Sequence, residues 1–273
     1  MDSNLLKIFV TVADKKSVTL GAKKLKQAQS NITARIKQLE NDLGFKLFHR
    51  VPQGVLLTKE GEMLYPRACE IVSKIERLNK EIKKSKELSL RVVSTEANAA
   101  VRVVPFLLRL YNDFKGASLE LTTNTTAGCL KWLLDYKADI AFVSGIVEHK
   151  DLMTLNIFDE TMVIASPKQT SENAVFLAYR KGCAYNDFAM KYLQSRKIEA
   201  KIFEFASYET ILGCVEAGIG QTILPLSIIE KLGYDKKLNL KILSKKQANI
   251  PTTMICRKDN VPNIEQYLRD MKL

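Results

Sequence analysis

The sequence is poor in the groups on which most enzymes and secreted proteins depend. Among 273 residues there are only two histidines, His49 and His149, far apart in the chain, so a His-based nucleophilic or metal site has little material. The five cysteines, Cys69, Cys129, Cys183, Cys214 and Cys256, are odd in number and never form C-x-x-C, which argues against a disulfide framework or a zinc site. No phosphate-binding glycine loop occurs, and Gly218-Ile219-Gly220 lacks the third glycine of a dinucleotide site. Apolar runs fall short of a membrane span, and Met1-Asp2-Ser3-Asn4 does not lead from a basic to an apolar stretch. A cytoplasmic, non-enzymatic protein with no cofactor, metal or membrane partner is the expectation.

What is present is a soluble composition, 46% hydrophobic and 26% charged, with length enough for two or three domains. The charge is unevenly spread. Residues 1–86 hold 18 Lys and Arg against 9 Asp and Glu, whereas the rest hold 24 against 21, so +9 of the net +12 lies in the first third. Such asymmetry suits a polyanion-binding module, although a solvated basic face or a membrane-surface patch would also produce it.

Three segments follow from periodicity. In the first, apolar residues at helical spacing predict short helices through Leu5, Leu6, Phe9, Val12 and Ala13, then Leu20, Ala22 and Leu25, then Ile32, Ile36, Leu39 and Leu43. Ser17 suits an N-cap, and Pro52-Gln53-Gly54 between Phe48 and Val55 predicts a hairpin wing. In the second, Leu64, Ala68, Ile71, Ile75, Leu78 and Ile82 form an a/d seam that predicts a dimerising helix, with a hinge at Lys83–Glu87. In the third, strands are expected at Leu90–Val93, Leu119–Thr122, Ile140–Val143, Met162–Ala165 and Thr222–Leu224. Helices are expected around Val101–Phe114, Ala127–Tyr136, Asp187–Arg196 and Thr210–Ala217, so the segment reads as α/β with mainly parallel pairing.

The stretch from Gly21 to Glu40, with Gln29-Ser30 and Thr33 ahead of Ile36 and Leu39, resembles the helix-turn-helix of the LysR-type transcriptional regulators. Leu43-Gly44, Leu47-Phe48, Arg50, Leu57-Thr58 and Gly61 continue that likeness in register. Gln29, Ser30 and Thr33 lie on the face opposite the apolar set, as a groove-reading helix requires. Gln29 is the first candidate base reader, because a glutamine can pair with adenine through two hydrogen bonds. Lys24, Arg35, Lys37, Arg50 and Gln53 are candidates for phosphate contacts. Ala28, Arg35 and Gln53 stand where serine, glutamine and arginine are usual in the family.

The third segment is similar to the regulatory domain of the same family, which resembles periplasmic binding proteins, with two α/β lobes around a cleft. Ser94-Thr95-Glu96, Ala99 to Arg102, Thr125-Thr126 and Asp139 to Val143 carry the likeness in lobe I. Gly182 to Tyr185, and Ser207 through Gly220 to Pro225, carry it in lobe II. The resemblance implies an α/β fold overall: a winged helix-turn-helix over 1–58, a linker and dimerisation helix with hinge over 59–87, and an effector domain over 88–273. Lobe I would take about 88–160 and 259–273, and lobe II about 161–258.

Where strands end and helices begin, unpaired N–H groups and the helix dipole favour an anion. The expected effector is therefore a small carboxylate or similar anion, held by Ser94, Thr95, Thr125, Thr126, Cys183, Tyr185 and Ser207. Asn186 stands where arginine is common. Expected partners are double-stranded DNA, the effector, further copies of the chain as dimer or tetramer, and RNA polymerase as a candidate. One alternative is a redox-sensing regulator using Cys183, whose place at a helix start would favour thiolate. Another, of a different class, is a small-molecule-binding protein or enzyme with the same two lobes.

Overall fold

The computed structural model describes residues 2–82, 88–169, 175–244 and 248–273, without the side chains of residues 77 and 80–82. The hinge expected at Lys83–Glu87 lies outside the described residues. The chain divides into two compact units, Met1–Lys86 with Leu134–Lys137, and Glu87–Leu133 with Ala138–Leu273.

The first unit opens with helices α1 (Ser3–Lys15), α2 (Val18–Leu25) and α3 (Gln29–Leu43). Local sequence sets their limits. Asp2 caps α1 by accepting from the Asn4 amide at 3.0 Å, and Ser17 caps α2 by accepting from Leu20 at 3.3 Å. Gly44, at φ 81°, ends α3 in the left-handed region that glycine tolerates. Strands β1 (Phe48–Val51) and β2 (Gly54–Leu57) pair antiparallel as the wing. Gly54 is required there: a Cβ would lie 2.1 Å from the Lys16 carbonyl oxygen, beside the turn from α1 into α2.

Leu5, Phe9, Val12, Ile32, Leu39 and Leu47 form the core of this unit, each at most 1% exposed. Helix α4 (Lys59–Ile82) starts at Thr58, whose Oγ1 accepts from the Gly61 amide, and continues through Pro66. Its first half joins this core through Tyr65, Ala68 and Cys69, with Leu64 and Val72 alongside. The expected seam is thereby corrected at Ala68, which is fully buried within its own unit. A small residue there lets α4 approach α1 closely, which removes Ala68 from any second interface. Ile71 and Leu78 remain 38% and 53% exposed, Ile75 is half-buried, and the Ile82 side chain lies outside the described residues.

The second unit contains two lobes. In lobe I a five-stranded sheet has the order β4–β3–β5–β12–β6, formed by β3 (Ser89–Ser94), β4 (Ser118–Thr123), β5 (Ile140–Ser144), β6 (Leu152–Phe158) and β12 (Thr252–Arg257). The central β5, Ile-Ala-Phe-Val-Ser, is buried at every position, as an apolar run covered on both faces should be. A helical stretch runs through α5 (Glu96–Asn98), a π-helical segment (Ala99–Val103) and α6 (Val104–Asp113); α7 (Thr126–Leu134) follows β4, and α11 (Glu265–Arg269) lies near the end.

Lobe II has a β10–β7–β11 sheet and a β8–β9 pair, from β7 (Met162–Ser166), β8 (Val175–Tyr179), β9 (Lys201–Phe205), β10 (Thr222–Pro225) and β11 (Asn239–Ile242). Its helices are α8 (Ala184–Ser195), α9 (Tyr208–Glu216) and α10 (Leu226–Lys231).

Two expectations are corrected. Among the described residues of this unit, β3–β4, β3–β5 and β8–β9 pair parallel, while β7–β10, β7–β11, β5–β12 and β6–β12 pair antiparallel, so the sheets are mixed. The cause is the two-lobed path, since β12 enters lobe I from lobe II and runs against its neighbours. The return to lobe I therefore comes by Thr252, seven residues before the expected 259, because β12 lies between β5 and β6.

Candidate functional site

Two sites result, one in each unit. On the first, burial of Ile32, Ile36 and Leu39 turns the opposite side of α3 outward, exposing Gln29, Ser30, Arg35 and Lys37, with Thr33 half-buried. Lys24 on α2 and Arg50 and Gln53 on the wing are exposed as well. The Thr33 hydroxyl donates to the Gln29 carbonyl at 3.0 Å, Arg35 Nη1 donates to Gln38 Oε1 at 3.1 Å, and Thr19 Oγ1 donates to Gln29 Oε1 at 3.1 Å. Ala28 precedes α3 without a side-chain cap, leaving amides of the first turn open.

The second site is an open cleft between the lobes. Lobe I contributes Thr95, Ala97, Asn124, Thr125, Thr126 and Ser144; lobe II contributes Arg180, Lys181, Gly182, Cys183, Ala184, Tyr185 and Tyr208. Three helical starts meet here. Thr95 precedes α5, Thr126 begins α7, and Cys183 precedes α8; neither Thr95 nor Cys183 caps its helix with its side chain. Thr125 Oγ1 accepts from the Gly128 amide at 3.2 Å. The Thr95 and Thr126 Oγ1 atoms are buried and have no hydrogen-bond partner among the described residues.

Aromatic residues and cations complete the wall. Tyr179 and Tyr208 stack with centroids 4.2 Å apart, and the Arg180 guanidinium lies 5.6 Å from the Tyr179 centroid. Lys181 is 3.7 Å from Glu204, an exposed pair of little energetic weight. Burial pushes the Tyr208 phenol far above its ordinary range, aided by the Cys183 sulfur 3.5 Å away, and burial likewise raises Tyr185. Both phenols are neutral at physiological pH; Tyr185 hydrogen-bonds with Ser144 and Thr252, and Tyr208 meets Cys183.

Five of the seven residues expected to hold an effector line this cleft: Thr95, Thr125, Thr126, Cys183 and Tyr185. Ser94 does not; it is fully buried and donates to the Thr95 carbonyl at 3.0 Å. Nor does Ser207, which caps α9 by accepting from Thr210 at 3.2 Å, while its neighbour Tyr208 reaches the cleft. Asn186 turns inward and donates to the Tyr179 carbonyl. Sequence reasoning missed Asn124, Ser144, Arg180, Lys181 and Tyr208. The adjacent cations directly before Gly182 were the available signal; Ser144 offered none.

A buried polar network adjoins the cleft. Asn98 Nδ2 donates to Ser144 Oγ at 3.4 Å and Thr252 Oγ1 donates to Asn98 Oδ1 at 2.7 Å. Glu160, at the first crossing between lobes, accepts from Arg102 Nε and Nη2 at 3.0 and 2.9 Å and from Ser227 at 2.7 Å, and shares with Asn98 the one proton of the Thr252 hydroxyl, 3.2 Å away. Arg102 lies in the π-helical segment of lobe I and Ser227 in α10 of lobe II, so one carboxylate joins both lobes at their crossing.

Comparison with known proteins gives the same two-part division. Residues 3–62 match the family described as bacterial regulatory helix-turn-helix protein, lysR family, and residues 83–269 match the LysR substrate binding domain. The chain belongs to the LysR family of bacterial transcriptional regulators. This LysR-type regulator is 34% identical to the HTH-type transcriptional regulator GltR of Bacillus subtilis (strain 168), across 100% of the chain and 96% of that protein. YofA of the same organism is 34% identical over 268 residues, 95% of the chain and 93% of the relative.

Solved structures share the fold of the regulator. A full-length OxyR variant from Pseudomonas aeruginosa gives a TM-score of 0.79 at 19% identity, covering 99% of this chain and 94% of that one. Full-length CbnR in complex with its target DNA gives 0.66 at 21% identity, covering 98% and 97%. The regulator thus combines a DNA-binding helix-turn-helix with an effector-binding domain. Among its described residues no helix is long and apolar enough to cross a membrane.

Proposed function

We propose that this regulator reads its operator through Gln29, Ser30 and Thr33 in the major groove, with Lys24, Arg35, Lys37, Arg50 and Gln53 on phosphates, and that a small anion controls it. The observation that supports the anion is the pair of buried, unpartnered hydroxyls of Thr95 and Thr126 at the starts of two helices, across the cleft from Arg180 and Lys181. Buried hydroxyls without partners cost free energy, and an oxyanion accepts from both while meeting the positive ends of the helices. Tyr208, buried and neutral on the cleft wall, adds a donor that favours a carboxylate.

In this reading the winged helix ends at 58, the linker helix and hinge run to 87, and the effector domain follows. The regulator works in the cytoplasm as a dimer or tetramer on half-sites related by a two-fold axis, with RNA polymerase a further partner. Effector shifts the population of lobe arrangements and thereby the spacing of the paired winged helices. The test is a thermal-shift screen of small carboxylates on the full chain, repeated on Thr95→Val. A carboxylate that raises Tm in the wild type and not in the variant supports the reading; stabilisation by neutral or cationic metabolites alone overturns it.

A further inference from the structure

Thr19, the second residue of α2, directs its hydroxyl to the acceptor end of the Gln29 amide, 3.1 Å away on the next helix. The platform beneath it is closely packed. At Gly21 even a Cβ would come within 2.9 Å of Val12 Cγ2, so α2 lies tightly against α1. Gln29 is held from the other side too, since its carbonyl accepts from Thr33 at 3.0 Å. Pairing with adenine requires both ends of a glutamine amide, Oε1 accepting from N6 and Nε2 donating to N7. In this structure Oε1 accepts from Thr19 with one of its two lone pairs, and both protons of Nε2 are left for the duplex.

We infer that Thr19 is a positioning residue for base reading, holding the Gln29 amide with Nε2 outward so that it donates to the N7 acceptor of a purine in the groove. This rests on the reading of Gln29 as a base reader. In water the Thr19–Gln29 bond carries little net weight, but in a closed groove it holds the Gln29 side chain against α2 and lowers the entropy lost when the chain meets the duplex. Threonine suits the task because its branched Cβ restricts χ1.

The experiment uses the full chain, a duplex selected by the wild type from a random-sequence library, and a scrambled duplex. Gln29→Ala is expected to lower the affinity ratio of selected over scrambled DNA by about tenfold or more, and Thr19→Val by about fivefold with scrambled binding unchanged. Thr19→Ser should retain the ratio, and Thr19→Val combined with Gln29→Ala should be no worse than Gln29→Ala alone. Replacing the contacted purine by its 7-deaza analogue should weaken the wild type and leave Gln29→Ala unaffected. Equal weakening of both duplexes by Thr19→Val would make Thr19 a phosphate contact and overturn the proposal. So would an undiminished Thr19→Val effect in the Gln29→Ala background. If Gln29→Ala itself preserves the ratio, the base-reading role fails before the positioning role is reached.

Discussion

Removing the Arg102 guanidinium should destabilise the effector domain far more than removing both members of its pair. The Glu160 side chain is 3% exposed and that of Arg102 is 15%, with Nη2 to Oε1 at 2.9 Å. Arg102→Met takes away two of the four hydrogen bonds to Glu160 and leaves a carboxylate in the interior with only the Ser227 and Thr252 hydroxyls. Breaking a buried pair by deleting one partner costs about 3–5 kcal/mol. For a unit of this size each kcal/mol lowers Tm by roughly 2–4 °C, so a fall of about 6–20 °C is expected. Replacing both residues, Arg102→Met with Glu160→Leu, removes the stranded charge and should recover much of the loss, with the Ser227 hydroxyl losing its Glu160 acceptor while Thr252 keeps Asn98. Thermal unfolding of wild type, both single variants and the double variant completes the cycle. Additive single losses, with no recovery in the double variant, would refute the assignment of Glu160 as an electrostatic node between the lobes.

Thr126→Val should leave the effector-free protein as stable or up to about 1 kcal/mol more stable, because it removes a buried hydroxyl that has no partner, while abolishing stabilisation by a carboxylate effector; a Tm comparison with and without that carboxylate checks both halves. On α4, Leu78→Lys should shift the proposed dimer towards monomer in sedimentation, whereas Ala68→Leu should instead destabilise the winged-helix unit by about 1–3 kcal/mol through overpacking. Burial raises the Cys69 thiol to about 11 and those of Cys129 and Cys256 to about 12, from an ordinary 9.0. The unfolded thiols ionise first, so their contribution to stability is complete below pH 9 and is lost as pH rises from there to about 12. Alkaline unfolding monitored by circular dichroism should show that decline, and it should be shallower in Cys129→Ala. At neutral pH, iodoacetamide should label the partly exposed Cys183 and Cys214 ahead of these three, as peptide mass mapping would show.

The winged helix was legible because each local signal agreed with the packing. Ser17 caps where a serine should, Gly44 and Gly54 occupy backbone positions that glycine favours, and the 3.6-residue spacing of Ile32, Ile36 and Leu39 is the spacing of the core. The linker seam was half legible. Leu64 and Ala68 fit a heptad, but Tyr65, Cys69 and Val72 beside them define a second apolar stripe that binds the helix to its own unit. A one-dimensional pattern cannot say which of two adjoining stripes faces home. Strand β8 was missed because Val-Phe-Leu-Ala-Tyr is a short continuous apolar run, which periodicity does not separate from a buried helix. Strand β12 was missed because Thr-Thr-Met-Ile-Cys shows no alternation of buried and exposed positions; both threonines are fully buried, with hydroxyls bonded to Asn98 and the Gly145 carbonyl.

The cleft shows why ligand chemistry was partly readable and its wiring was not. Helix starts carry a sequence signature, so Thr95, Thr125, Thr126 and Cys183 could be named from the chain alone. Which hydroxyls find partners is a tertiary matter. Thr252 and Ser227 are satisfied around Glu160, whereas Thr95 and Thr126 are not. That contrast between a completed network at the lobe crossing and an incomplete one in the cleft is what a ligand-responsive domain needs. In the proposed reading the satisfied side is where the lobes pivot, and the unsatisfied side provides a difference in free energy between empty and filled states. A ligand shifts an equilibrium only by such a difference, so in the proposed reading the response to an anion is carried by the very hydroxyls whose lack of partners weakens the empty protein.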